Sequence, residues 1–150
     1  MKVRLLLFNH VNNDGKVYVA ESAEEIEKLF GKQAGYSSKF LVNAPVIDPE
    51  LTYEERFSKV SSPDITQICG GFEDFEIIET DDRGYDDFPV FEVYGTLKVL
   101  DSENGKNFEN LYKENLTSIR VRGWSRTITE NVESIGKIIC WDVFPRKDKK

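Results

Sequence analysis

One histidine is all this chain has, and that scarcity is the first restriction on its chemistry. A serine or cysteine nucleophile in need of an imidazole base could draw only on His10, and it is geometry, not presence, that makes a triad. His10 falls beside a predicted turn, so a polar residue at a strand edge is the preferred reading. Cysteine is nearly as scarce. Cys69 and Cys140 are far apart and neither belongs to a CxxC pair, which argues against zinc and predicts two reduced, buried thiols in place of a disulfide. Long apolar runs are missing as well: stretches such as Leu5 to Phe8 fall far short of the roughly 20 residues of a membrane-spanning helix. The start, MKVRLLLFNHVNN, lacks the length and cleavage site of a signal peptide, so the expectation is a cytosolic chain with no membrane contact. Gly70-Gly71 is not followed by the Lys-Ser/Thr of a phosphate-cradling loop, and no cofactor or metal is indicated.

What is present suits a single core. A length of 150 residues with 39% hydrophobic content predicts one domain over 1–145, followed by a basic, disordered tail at 146–150. The net charge of −7 is unevenly spread: nine acids from Glu73 to Glu92 face only Arg83. An acidic total repels phosphate backbones, so general nucleic-acid binding would need a strong local basic face.

The pattern predicts strands over 2–8 and 16–20, joined as a β-hairpin across Asn12-Asn13-Asp14-Gly15. Ser22-x-x-Glu25 is a capping box, and Ile26, Leu29 and Phe30 mark a helix from about Ala23 to Phe30 that Gly31 stops. KFLVNAPVIDP leaves the sheet at Pro45, and Thr52-x-x-Glu55 opens a turn or two of helix through Phe57. Further strands are predicted at 65–69, 72–79, 90–100, 117–124 and 136–144, with a helix over 104–116 carrying Phe108, Leu111, Tyr112 and Leu116 on one stripe. Gly70-Gly71 marks a bend or bulge. The fold class is α+β, with a mostly antiparallel, barrel-like sheet and two or three short flanking helices.

Two stretches stand out as candidate binding surfaces. Asp81, Asp82, Asp86 and Asp87 in DDRGYDD lack the order of a calcium loop and read as a solvated acidic segment. In IRVRGWSRTI, Arg120, Arg122 and Trp124 share one strand face, with Arg126 just beyond. Such a face could bind phosphate or a base, but pairing with the acids of FEDFE on a neighbouring strand is the preferred reading.

VYGTLKVLDSENGKNFENLYKENLTSIRVRGWSRT followed by IGKIICWDVFP resembles the C-terminal half of the prohead, or head-maturation, proteases of tailed bacteriophages. That family shows a strand like VYGKAKIL, an Asn-Gly loop, a helix, a strand ending in VSSRG and a final strand like ICWDIV. NNDGKVYVAESAEEI and LVNAPVIDPEL extend the likeness upstream, so that it spans about residues 4–145. The resemblance implies a protease-type β-barrel flanked by helices, with the serine in the S-S-R-G element and the histidine in the H-P element. Here those elements read Ile119-Arg120-Val121-Arg122-Gly123 and Asn43-Ala44-Pro45. Arg120 or Val121 replaces the nucleophile and Ala44 the base, and none of these can do the chemistry.

The resulting expectation is a catalytically inactive phage protein that binds a protein partner, either in the capsid and its assembly or in the host. It would be found in the cytoplasm of the infected cell or in the virion. Three alternatives stay open: an inhibitor of host defence acting through its acidic surface, an active serine protease using His10 with Ser118 or Ser125, and a small nucleic-acid binder. The oligomeric state is not legible.

Overall fold

A computed structural model describes residues 1–31 and 34–146. Strands β1 (Lys2–Phe8) and β2 (Val17–Tyr18) come first, then helix α1 (Ala23–Phe30), β3 (Phe40–Asn43) and α2 (Tyr53–Ser61). The chain continues through β4 (Ile68–Arg83), β5 (Pro89–Val99), α3 (Glu103–Lys113), β6 (Thr117–Thr129) and β7 (Val132–Pro145). The strands lie in the order β2-β1-β5-β4-β3-β7-β6, and a further pairing of β2 with β7 closes six of them into a barrel. Four of the pairings, β1–β5, β3–β4, β4–β5 and β6–β7, are antiparallel. The α+β class and barrel-like sheet expected from the sequence are therefore present, with three α-helices among the described residues.

β6 is the strand outside the ring. Trp141 of β7 meets Leu41 of β3 on one side and Val121 of β6 on the other, and Glu133 likewise meets Tyr18 of β2 and Thr127 of β6. β2 and β3 thus share one edge of β7, and β6 occupies the opposite edge.

The barrel interior holds Trp141, Phe8, Phe91, Leu41, Ile138 and Val93, all essentially inaccessible to water. α1 contributes Ile26 and Leu29 to this core, burial that stabilises by about 1.5–3 kcal/mol per side chain. Its first turn is capped as the sequence predicts, with the Ser22 hydroxyl accepting from the Glu25 amide. Phe30 at its last turn meets Phe75 at a tilt and stacks on Trp141, and the Trp141 indole N–H donates to the Ser38 carbonyl at 2.8 Å.

Three expectations are corrected. β1 and β2 do not form a hairpin; they pair in parallel, Phe8 against Tyr18. The Asn12–Gly15 turn exists, but it folds Val11 onto Val17. Asn9, at φ 70°, has already turned the chain once, and two reversals in succession restore the original direction. The buried Asn9 side chain locks this turn, donating to the Ala20 and Pro89 carbonyls and accepting from the Ala20 amide. Residues 65–67 form a 3-10 turn capped by Asp64, and strand begins only at Ile68. Asp81, Asp82 and Arg83 belong to β4, which runs on well past the predicted limit, while Asp86 and Asp87 sit in a 3-10 turn.

The glycine pair behaves as expected. The register slips by one residue at Cys69, since Leu41 faces Gly70 while Val42 faces Ile68. A Cβ on Gly70 would collide with the Lys98 carbonyl oxygen, so close strand approach requires glycine there. The expected disordered tail falls mostly outside the described residues; Arg146, which is described, donates its amide to the Leu116 carbonyl. No helix among the described residues is long and apolar enough to cross a membrane.

Candidate functional site: a cleft between β1 and β6, and the outer face of β6

β6 runs antiparallel to β7 from Thr117 opposite Pro145 to Thr129 opposite Val132. Alternation sends Ile119 and Val121 toward the main core and Arg120, Arg122 and Trp124 toward the outer face, as predicted. The three outer residues then have different fates.

Arg122 is buried. Its Nε and Nη2 engage the Asp142 carboxylate at 2.6–3.2 Å, and Nη1 donates to the Val60 carbonyl on α2 at 3.2 Å. Burial opposes the charge, but the Asp142 hydrogen bond and the neighbouring negative groups outweigh it, and the guanidinium stays above its ordinary value. A second, smaller core of Val42, Ile139 and Cys140 reaches the pair through the Cys140 thiol, 3.9 Å from Asp142 Oδ1. Burial pushes the Cys140 thiol up to about 12, against the lowering influence of Arg122. Cys69 and Cys140 are both buried and free.

Trp124 is partly exposed and stacks on Phe57 of α2, ring centroids 5.0 Å apart, and Phe57 stacks in turn on Tyr53. α2 fully buries no residue of its own; this aromatic ladder, the Arg122 bond to the Val60 carbonyl and the packing of the partly buried Val60 side chain on the second core hold it to the barrel. Arg120 lies over the Phe144 ring at 4.9 Å and reaches Asp14 at 3.4 Å. Arg126 stands in the exposed outer half of β6. The arginines do pair with acids, but with Asp142 and Asp14; the acids of FEDFE are on β4, which is not adjacent to β6, and Glu73 and Glu76 bind Lys98 and Lys2 instead.

Beside β6 opens a cleft of about 420 Å³. Arg4–Leu7 of β1 form one wall, Ser118–Val121 of β6 the other, and residues 12–14 with Lys16 and Tyr18 also line it. Lys16 is tied to Glu133 at 3.0 Å, and Glu133 also accepts from the Ser125 hydroxyl at 2.8 Å. These two hydrogen bonds hold the Glu133 carboxyl below its usual range, and Glu133 holds Lys16 above its own.

Among the described residues no hydrogen bond joins His10 to Ser118 or Ser125. Ser118 lines the cleft, Ser125 is bonded to Glu133, and His10 is exposed with its Nδ1 2.9 Å from the Val11 carbonyl. Among the described residues no His, Cys, Asp and Glu side chains are grouped to hold a metal ion. Asp81, Asp82, Asp86 and Asp87 are placed at the far end of the β4–β5 hairpin, remote in sheet order from β6.

The sequence reading missed Asp142, Asp14, Arg4 and Phe57 as members of this region. Asp142 had a signal: a single acid inside the apolar run IICWDVF predicts a buried carboxylate, which needs a cation. Phe57 had one too, because Tyr53 and Phe57 are spaced i, i+4 behind the Thr52 cap. Arg4 and Asp14 had none. No protein-family model, no curated protein and no solved structure matches this chain.

Proposed function

We propose that this chain is a non-enzymatic protein of a tailed bacteriophage, a barrel derived from a prohead-type protease that acts by stoichiometric protein binding in the capsid or its assembly. One observation carries the reading. The two elements that the resemblance aligns with base and nucleophile flank β7 at the same level: Asn43 and Ile119 both pair with Val143, from opposite edges. A hydrolase scaffold would keep these elements in register across a strand, and here they carry Ala44, Arg120 and Val121. The next outward residue, Arg122, is committed to Asp142. At this level neither flank of β7 pairs a hydroxyl with an imidazole, and the Ser125 hydroxyl further along bonds a Glu133 carboxylate already tied to Lys16, which supports binding without turnover.

The test is quantitative mass spectrometry of purified particles, run beside capture with a tagged copy from infected cells. A fixed copy number per particle is the expected result. Absence from particles, with a basic host enzyme captured in salt-sensitive fashion, would overturn it in favour of inhibition through the acidic β4–β5 hairpin.

A further inference from the structure

α2 and the chain on either side of it are fastened to the barrel at few points. From Pro45 to Ser62 no residue is fully buried; the nearest buried ones are Val42 before the segment and Pro63 after it. The hydrogen bonds of the segment also turn inward. The Asp48 turn, the Thr52 capping box and the ladder of α2 all close on themselves. Among the described residues one hydrogen bond crosses to the barrel, from Arg122 Nη1 to the Val60 carbonyl, and no ion pair does. Both ends, by contrast, are anchored. The Ala44 amide donates to the Val143 carbonyl, Pro45 then has no amide with which to extend the β3 ladder, and Asp64 caps the turn that leads into β4.

We propose that residues 45–62 form a lid, hinged at Ala44 and Pro63, which opens as a unit while the barrel stays folded. Lifting it does not strand the Arg122 charge. Nε and Nη2 remain bonded to Asp142 on the adjacent strand, so only Nη1 exchanges a carbonyl for water. The other contacts are modest: Phe57 and Trp124 stay partly in solvent even when stacked, and Val60 is only partly buried, so little apolar area is uncovered on the lid itself. Entropy favours the open form. Isolated helices need about 12–15 residues to persist in water, and α2 has 9, so lifting it also melts it and frees the backbone of the segment. Beneath the lid is the second core, since Val60 packs on Val42, Ile139 and Cys140. The open form therefore presents an apolar patch beside an intact ion pair, a surface that the closed form hides.

Native-state hydrogen exchange of the full wild-type chain, followed by NMR at rising urea below the unfolding transition, tests the lid. The Arg56 and Ser62 amides, bonded to the Thr52 and Ser58 carbonyls, should exchange through an opening almost insensitive to urea, because little surface is exposed. Amides of β7 from Ile138 to Val143 should exchange only through global unfolding, which urea promotes steeply. Slow labelling by a small thiol reagent gives a second reading: Cys140 should follow α2, whereas Cys69, in the main core, should follow β7. Val93→Ala, a cavity in β5 remote from the lid, separates the two openings, since it weakens the closed and open forms alike. It should speed β7 exchange and Cys69 labelling about tenfold or more and leave α2 exchange and Cys140 labelling unchanged. A single urea dependence shared by α2 and β7 in the wild-type chain would overturn the lid. Cys140 labelling that tracks β7 and not α2 would overturn it equally, because the lid would then cover nothing.

Discussion

The two long hairpins of this barrel use the same chemistry to opposite effect. In β4–β5 and the adjoining β1, Lys2, Arg4 and Lys98 meet Glu76, Glu92 and Glu73 across the strands, in contacts open to solvent. In β6–β7 a single pair, Arg122 with Asp142, is 8% exposed on both sides and bonded through two guanidinium nitrogens. Exposed pairs are screened and entropically costly, so they set solubility and long-range field more than stability. A buried pair adds little over an apolar replacement, yet losing one partner strands a charge in a dry environment. One hairpin therefore tolerates change and the other does not.

Breaking the buried pair should give the largest effect. Arg122→Ala is expected to cost about 3–5 kcal/mol in chemical denaturation, because Asp142 is left uncompensated. The double variant Arg122→Met/Asp142→Leu should recover most of that loss, which separates a stranded charge from lost packing. Cys140 reports on the same region: with its thiol held up to about 12 by burial, it should resist alkylation at neutral pH in the native protein and react after unfolding.

Next comes the aromatic ladder. Phe57→Ala removes the ring stacked 5.0 Å from Trp124 and should cost about 1 kcal/mol, with faster amide exchange confined to α2. An exchange change spread over the barrel would show that α2 is part of the core and not a helix laid upon it.

The Lys16–Glu133 clamp should give a smaller, pH-dependent effect. Glu133 is depressed, so its contribution is complete above the ordinary carboxylate range and is lost as pH falls through the lowered value. Lys16 is raised, so its share persists to the ordinary lysine range and fades only above it. Glu133→Gln should flatten the acid limb of the stability profile and leave the neutral plateau slightly lower. The smallest effect belongs to the exposed hairpin: Lys98→Ala should leave the unfolding midpoint within error and mainly alter its salt dependence.

Much of this contrast was invisible in the sequence for identifiable reasons. α1 was legible to the residue, because a capping box, an i, i+3, i+4 apolar set and a following glycine agree on the same limits. The facing of Arg120, Arg122 and Trp124 was legible because the bulge after Arg122 puts its extra residue, Ile139, on β7 and leaves the period-2 alternation of β6 intact through Trp124. Pairing partners were not. Sequence shows that arginines and acids coexist, but whether β4 or β7 lies beside β6 is a matter of topology, and that depends on closure through β2 and β3. The parallel return of β2 was hidden for a similar reason, since Asn9 at positive φ adds a second reversal to the one at the Asp-Gly turn. The cleft itself was illegible, being made by what two edges leave unpaired.

The central claim is that the strand resembling a protease nucleophile strand now serves binding and structure and not catalysis. Fluorophosphonate labelling of the native full chain, read by intact-protein mass spectrometry, tests it most directly. No adduct is the expected result. An adduct on Ser118 or Ser125 that disappears in His10→Ala would contradict it.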